Sequence, residues 1–553
     1  MSFFETASLV LISDFAAASA SAVSGSGTST GKAYSIKPTD GSGDFDFERG
    51  SDITATRVNP SGLIEKGRGN FLLQSNNFDT TWVKSSVNLT GSQSGYDGSN
   101  DAWILRKTGT TGAISQEVAS LTNLQTFSIY AKPGDLNWIR IIRAGKSIYV
   151  DLENQVTGSV GGGVIDVKVI PINEWSRISL TINETSINTV IYPADGDDDI
   201  SGTSGFIYIQ DAQLEPGLVA TDYIETTTAP LRAGLLEDEP RFDYHNSASA
   251  TPNTCPSLLL EPERTNLITN SEYFDSWNTL GNGTVTQNYG ISPEGVQNSS
   301  RFQAVTTSDR IYISMGTVNA NETFSVYMKG SGPLLIDVGG GNNFYPNLTS
   351  EWVRYEFTTS QNGTNGNIQF RGNNGTLDVE LYGAQFERNS YATSYIPTYG
   401  TAATRGNDLC ELSTGGVNET EGTFFIDYKD SPNRGALFAS STSHNLITNN
   451  IRLSDDQLFI KNGGGNLIVA NVTTPDSGKL ALKYSTSGVK LFANGGSTPI
   501  YESTTSITFN GSIDYVRVGS RVNDASVQEF RVKQFLIFPE ALSDAECITL
   551  TTL

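Results

Sequence analysis

The sequence predicts an all-β protein of several domains, and three observations predict it. Gly, Ser, Thr and Asn crowd the chain while Asp, Glu, Lys and Arg make up only 17% of it, the composition of many short strands joined by tight turns. Apolar and polar residues alternate in runs such as Phe127-Ser-Ile-Tyr-Ala-Lys132, the period of a strand covered on one face. One stretch is told twice: Asn70 to Trp82, NFLLQSNNFDTTW, returns as NLITNSEYFDSW from Asn266 to Trp277, which marks a duplicated folding unit. For 553 residues, at about 150 per domain, three or four domains are expected.

Residues 1–45 differ from the rest. An apolar start, MSFFETASLVLISDF, runs into AAASASAVSGSGTSTGK, a segment too poor in large apolar side chains to order itself. It reads either as a disordered tail or as an anchoring arm, with Phe3, Phe4, Leu9, Leu11 and Ile12 packing into a neighbouring subunit. Glu5 and Asp14 flank the apolar run and no basic residue precedes Lys32, so the charged start of a secretory signal is missing. No apolar run approaches the roughly 18 residues of a membrane span.

A connector follows from Phe45 to Glu65, and a looser cousin runs from Phe242 to Glu261. Each leads into the repeated motif, so residues 46–232 and 233–406 are each a connector plus a module. The landmarks recur in order. Phe127-Ser-Ile-Tyr-Ala-Lys132 answers Phe324-Ser-Val-Tyr-Met-Lys329, and Glu174-Trp175 answers Glu351-Trp352. Ala212-Gln-Leu-Glu215 with Ala220-Thr-Asp-Tyr-Ile224 answers Ala384-Gln-Phe-Glu387 with Ala392-Thr-Ser-Tyr-Ile396. The four recurring tryptophans, Trp82, Trp277, Trp175 and Trp352, are expected in module cores. Phe127 lies 48 residues before Trp175 but Phe324 only 28 before Trp352, so the first module carries a longer hairpin around Trp138, Arg140, Arg143, Lys146 and Tyr149.

From 407 to 553 the pattern changes to strands at short intervals, among them Thr423–Tyr428, Gln457–Ile460 and Arg531–Phe538. The chain closes on a helix with Ser543 as N-cap and Glu546 at the reciprocal capping-box position.

The NLxxxSxxFxxxW opening, the FSxYxK strand, the Glu-Trp strand and the AQLE…ATxYI close resemble the carbohydrate-binding-like jelly-roll modules of tailed-bacteriophage virion proteins. Residues 407–553 resemble a concanavalin-like or laminin-G-like sandwich. The resemblance implies a virion appendage, a fibre or head decoration made in the host cytoplasm, a homo-oligomer expected to be a trimer and attached to other virion proteins by its N-terminal arm. Its domains would display glycan-binding surfaces. A capsid-decorating or cementing protein and a glycan depolymerase are the alternatives.

The charge balance, 36 − 59 = −23, argues against nucleic acid and anionic membranes as partners. Cys255, Cys410 and Cys547 have no metal-site or disulfide spacing. No enzyme is expected: no Glu-x-Asp pair occurs and His245 and His444 are the only histidines, so neither a one-strand glycosidase dyad nor a serine triad has a framework. No cofactor is expected beyond a structural Ca²⁺. Asp195, Asp197 and Asp199 could hold one, or form a solvated turn. For sugar, an aromatic platform with adjoining polar groups is needed. Trp138 with Arg140 and Arg143 is the candidate in the first module, for glycan or for a neighbouring subunit. In the last domain Tyr428, Arg434, His444, Asn445 and Asn462 sit in or beside turns and are the candidates there.

Overall fold

The computed structural model describes residues 3–13, 32–51, 53–118, 121–185, 188–246, 251–412, 417–429, 450–454, 456–463, 465–509, 513, 515–519 and 530–552. The fold is all-β: two jelly-roll sandwiches and a concanavalin-like sandwich, with helix confined to short pieces such as Phe3–Thr6 and Asp544–Thr552.

The first module faces two six-stranded sheets against each other. One runs in the order Val156–Val160, Lys146–Asp151, Trp138–Arg143, Asn188–Ala194, Ala113–Glu117 and Val83–Ser85; the other runs Val164–Ile172, Trp175–Asn183, Leu124–Pro133, Phe206–Pro216, Ala102–Lys107 and Val87–Gln93. Alternation sends Phe127, Ile129, Ile139, Ile141, Ile178 and Ile191 into the core between them. The second module repeats the plan with five strands in each sheet. The extra length of the first module becomes the two edge strands Val156–Val160 and Val164–Ile172.

The repeated motif is a hydrogen-bonded clasp. Asn70 Nδ2 donates to Ala212 O at 3.0 Å and Ile224 O at 2.9 Å, while its Oδ1 accepts from the Leu72 and Leu214 amides, each at 3.1 Å. Asn266 makes the same four bonds to Ala384, Ile396, Ile268 and Phe386. Ser75 and Tyr223 share a 2.6 Å hydrogen bond, as do Ser271 and Tyr395. Both glutamates, Glu215 and Glu387, accept from Gln213 and Gln385 respectively at 2.7 Å. An amide on the opening strand thus ties down the closing strand and the segment after it, which explains why Asn, Ser, Gln, Glu and Tyr recur together.

Two of the recurring tryptophans depart from expectation. Trp82 and Trp277 lie in the module cores. Trp175 and Trp352 lie on the outer side of their sheets, Trp175 against Tyr130, Tyr96 and Tyr208, and Trp352 against Tyr327, Ile64, Tyr382 and Tyr395. Tyr130 and Tyr327 stand opposite to Phe127 and Phe324 along their strands, and the tryptophans pack with those tyrosines.

The last sandwich is discontinuous in sequence. Its larger sheet runs Arg241–Asp243, Ser257–Leu260, Phe530–Phe538, Gly422–Lys429, Gly478–Ser485, Gly488–Ala493 and Tyr501–Ser503. Leu9–Ile12 pairs with the same strand Phe530–Phe538, Leu9 opposite Ile537, and lies end to end with Ser257–Leu260, whose Leu258 faces Val532. The facing sheet takes Lys32–Ala33 and Phe45–Glu48 beside Leu409–Leu412 and Val516–Val518. Each module is therefore an insertion into this sandwich: the boundary at 45 falls at its strand Phe45–Glu48, and the span 233–406 takes in its strands Arg241–Asp243 and Ser257–Leu260.

The anchoring arm is corrected accordingly. Leu9 and Leu11 are buried in this chain's own core with Phe45, Phe424 and Phe535. Val10 points to the opposite side, toward Cys547 and Leu550 of the closing helix, with Ile12 at the border. Phe3 meets Phe538 edge-on at 6.4 Å; the Phe4 side chain falls outside the described residues. Alternation in a four-residue strand supplies one face to the core and one to the helix, leaving no large apolar face for a neighbour. The helix itself starts with the expected capping box: the Ser543 amide donates to Glu546 Oε2 at 2.8 Å, and the Glu546 amide to Ser543 Oγ at 3.2 Å.

Where sandwich and modules meet, five charged side chains are sealed together. Arg241 contacts Glu261 at 2.6 Å and also Asp408, Arg405 reaches Glu261 at 3.0 Å, and Arg49 lies 3.6 Å from Asp408. Burial opposes charge on Glu261, but the two guanidiniums hold its carboxyl well below the usual range. Removing one member would leave an uncompensated buried charge.

Candidate functional site

The outer face of the first module's hairpin sheet carries the best-formed site. In Trp138–Arg143, Ile139, Ile141 and Arg143 face inward, while Trp138, Arg140 and Ile142 face outward. The register places Arg140 directly between Tyr149 on one neighbouring strand and Tyr192 on the other. Its guanidinium lies 5.3 Å from the Tyr149 ring and 5.5 Å from the Tyr192 ring, within cation–π range of both.

Trp138 sits one alternation away on the same strand, over Gly158 of the edge strand. A Cβ at Gly158 would lie 2.5 Å from the indole and 2.7 Å from Asp197 Oδ1, so ring and carboxylate converge above a residue that can carry no side chain. Asp197 Oδ1 is held by the Ser159 amide at 2.8 Å. Burial raises the Tyr149 hydroxyl, and Asp198 and Asp197 add to the rise against the pull of Arg140. The face therefore joins an indole, the half-buried phenol of Tyr192, a guanidinium and two exposed carboxylates on adjoining strands and one short turn, with Tyr149 buried beneath Arg140 at 3% exposure. That combination suits a ring with an apolar face and hydroxylated edges.

Arg140 has no ion pair among the described residues, and its Nε is buried without a hydrogen-bond partner. The corresponding face of the second module is self-satisfied: Gln369 donates to Asp337 at 3.0 Å, and Arg371 stands 4.0 Å from the same carboxylate.

The other sequence candidates scatter. Arg143 points inward, donating to Gln125 Oε1 at 2.7 Å and Thr189 Oγ1 at 3.1 Å, and burial lowers its pKa to about 10. It is a component of the sandwich interior, on the inward beat of a strand whose outward beat is Trp138 and Arg140. Tyr428 is buried in the last domain's core, 5.2 Å from Phe530, and donates to the Pro475 carbonyl. Asn462 ties its hairpin turn to the Thr508 carbonyl. Arg434, His444 and Asn445 lie outside the described residues.

The acidic turn does not gather its carboxylates. Asp195 pairs with Lys107 at 2.6 Å, Asp197 turns to Ser159, and Asp199 accepts from the Ser201 amide at 2.8 Å. Among the described residues, no three His, Cys, Asp or Glu side chains are grouped to hold a metal ion. Asp195 is neutralised by a lysine that the linear sequence places far away, which spacing alone does not reveal.

Tyr192 and Asp198 were missed as site residues. Tyr192 alternates correctly for an outward position, but only strand pairing places it beside Arg140. Among the described residues, no helix is long and apolar enough to cross a membrane.

No family model matches the chain, and no curated protein matches it. Solved structures similar to it include the CBM40 of the Ruminococcus gnavus IT-sialidase, at 19% identity over 24% of this chain and 84% of that one, with a TM-score of 0.19. The tandem CBM22 domains of Paenibacillus barcinonensis Xyn10C match at 10% identity over 61% and 97%, with a TM-score of 0.18. The Trypanosoma rangeli sialidase matches at 9% identity over 91% and 93%, with a TM-score of 0.20. Likenesses this slight carry no argument about the chain's chemistry.

Proposed function

We propose that this chain is a glycan-binding adhesion protein, displayed on a tailed-bacteriophage particle and acting through the Trp138–Arg140–Tyr192 face, which the buried Tyr149 supports from below. The observation that carries the binding reading is the pair of tyrosines flanking Arg140, with Trp138 seated on Gly158 beside Asp197. The face is preorganised, so little side-chain freedom is lost when a sugar docks. A single such face would bind weakly. Several copies on one particle would turn weak contacts into useful avidity.

The virion placement rests on the resemblance of the repeated motifs, and supports a role in attachment to host or environmental glycan. The test is binding of the full chain to a panel of neutral and acidic polysaccharides, beside Trp138→Ala. The wild type should bind at least one, and the variant should lose at least about tenfold in affinity while melting as the wild type does. If no polysaccharide is retained while the protein copurifies with capsid proteins, cementing becomes the function.

A further inference from the structure

We infer that the face selects a carboxylated sugar, with Arg140 as the group that recognises the carboxylate. The inference rests on the adhesion reading above and names its ligand class. Two acids around the face are already engaged: Asp197 accepts from Ser159, and Asp151 Oδ1 caps its own turn through the Glu153 and Asn154 amides at 3.0 and 3.1 Å. The nearby lysines are engaged too, Lys107 with Asp195 at 2.6 Å and Lys146 with Glu184 at 3.2 Å. Arg140 is the exception, a cation held between two aromatic faces with no carboxylate of its own among the described residues.

Such a guanidinium is oriented by the rings but its planar donors are not consumed by them, because a ring face accepts charge and not N–H geometry. A carboxylate fits that fork in two parallel hydrogen bonds. The same sugar's hydroxyls would then donate to Asp197, and its apolar face would lie on Trp138. Of the chain's overall charge of −23, only Asp197 and Asp198 act at the face, since charges more than about 8 Å away are largely screened at physiological salt, so the ligand's carboxylate docks on the side of Arg140 away from that turn. An ion pair of this kind weakens with added salt, whereas stacking on Trp138 does not.

The test uses the full chain and two carboxylated probes, oligogalacturonate and colominic acid fragments, each beside its carboxyl-reduced form, with dextran as a neutral control. At least one intact probe should bind about tenfold or more tighter than its reduced form. Arg140→Gln should bring that ratio close to one and remove the salt dependence, while leaving residual binding of the reduced form and an unchanged melting temperature. The probe that shows the preference distinguishes a hexuronate from a nonulosonate. Equal binding of intact and reduced forms, or a preference that survives Arg140→Gln, overturns the assignment. If in that case Trp138→Ala still abolishes binding, adhesion stands and only the acidic ligand class is lost; if no intact, reduced or neutral probe binds, both fail.

Discussion

Lys66, at the end of the strand Ile64–Lys66 that enters the first module, lies 3.0 Å from Glu272 of the second module, with both side chains buried. Glu294 takes the other side of the same ammonium at 2.9 Å. Tyr395 donates to Glu272 at 3.0 Å and Tyr382 to Glu294 at 3.1 Å. Burial opposes the charge on Lys66, but the two carboxylates hold its pKa well above the ordinary value. One lysine therefore joins both modules, and Lys66→Met would strand two carboxylates in an interior. The expected cost is roughly 3–5 kcal/mol, read as a lower denaturant midpoint and faster proteolysis between the modules. Adding Glu272→Gln to that variant should recover part of the loss, because the stranded charge is then halved.

A second prediction concerns pH. Asp211 occupies a left-handed bulge, φ 52°, where the second module has Gly383 at φ 64°. Burial pushes its carboxyl up to about 7, with Asp101, Asp97 and Glu225 adding to the rise and the Tyr96 hydrogen bond opposing it. A carboxyl raised on folding contributes stability that is complete below its unfolded value of about 3.9 and is lost as pH rises through the folded one. The first module should therefore melt progressively lower between about pH 4 and 7, in the window set by those two values. Asp211→Asn, which tolerates the same backbone conformation, should flatten that dependence. Calorimetry of wild type and variant across this range decides it; identical slopes would remove Asp211 from the account.

The clasp predicts equal effects at two distant sites. Asn70→Ala and Asn266→Ala each remove two donated and two accepted hydrogen bonds in a buried place. Each should cost about 3 kcal/mol, mostly through carbonyls and amides left unpaired. Calorimetry should show the loss in one module's transition at a time. A loss spread over both would mean that the modules unfold as one unit through the Lys66 contact.

What was legible in the sequence follows from where the information lies. The clasp was visible as a repeat because its partners stay at fixed offsets within each module, Gln213 two before Glu215 as Gln385 is before Glu387. The capping box at Ser543 and Glu546 was visible for the same reason. Even the inward turn of Arg143 can be worked out, since alternation from Trp138 and Arg140 puts it on the other face. The discontinuous sandwich was not visible. Periodicity marks Leu9–Ile12 and Ser257–Leu260 as strands without saying that both seek Phe530–Phe538. The same limit hid Tyr192 beside Arg140 and Lys107 beside Asp195, contacts made only once strands and turns are assembled.

That topology sets the last prediction, because an N-terminal strand buried in the C-terminal sandwich behaves differently from a free arm. Deleting residues 1–13 removes Leu9, Val10 and Leu11, each at most 3% exposed. It also opens one edge of Phe530–Phe538 from Gln534 to Ile537. At about 1.5–3 kcal/mol for each large side chain withdrawn from the interior, the loss is about 5 kcal/mol or more, concentrated in the last sandwich. A peptide spanning residues 1–13, added in trans, should raise the melting temperature of the truncated protein by refilling that edge. A free arm gives the opposite pattern: truncation leaves the melting profile unchanged, and the peptide has nothing to fill. The two modules, whose cores contain none of these residues, should melt as before in either case.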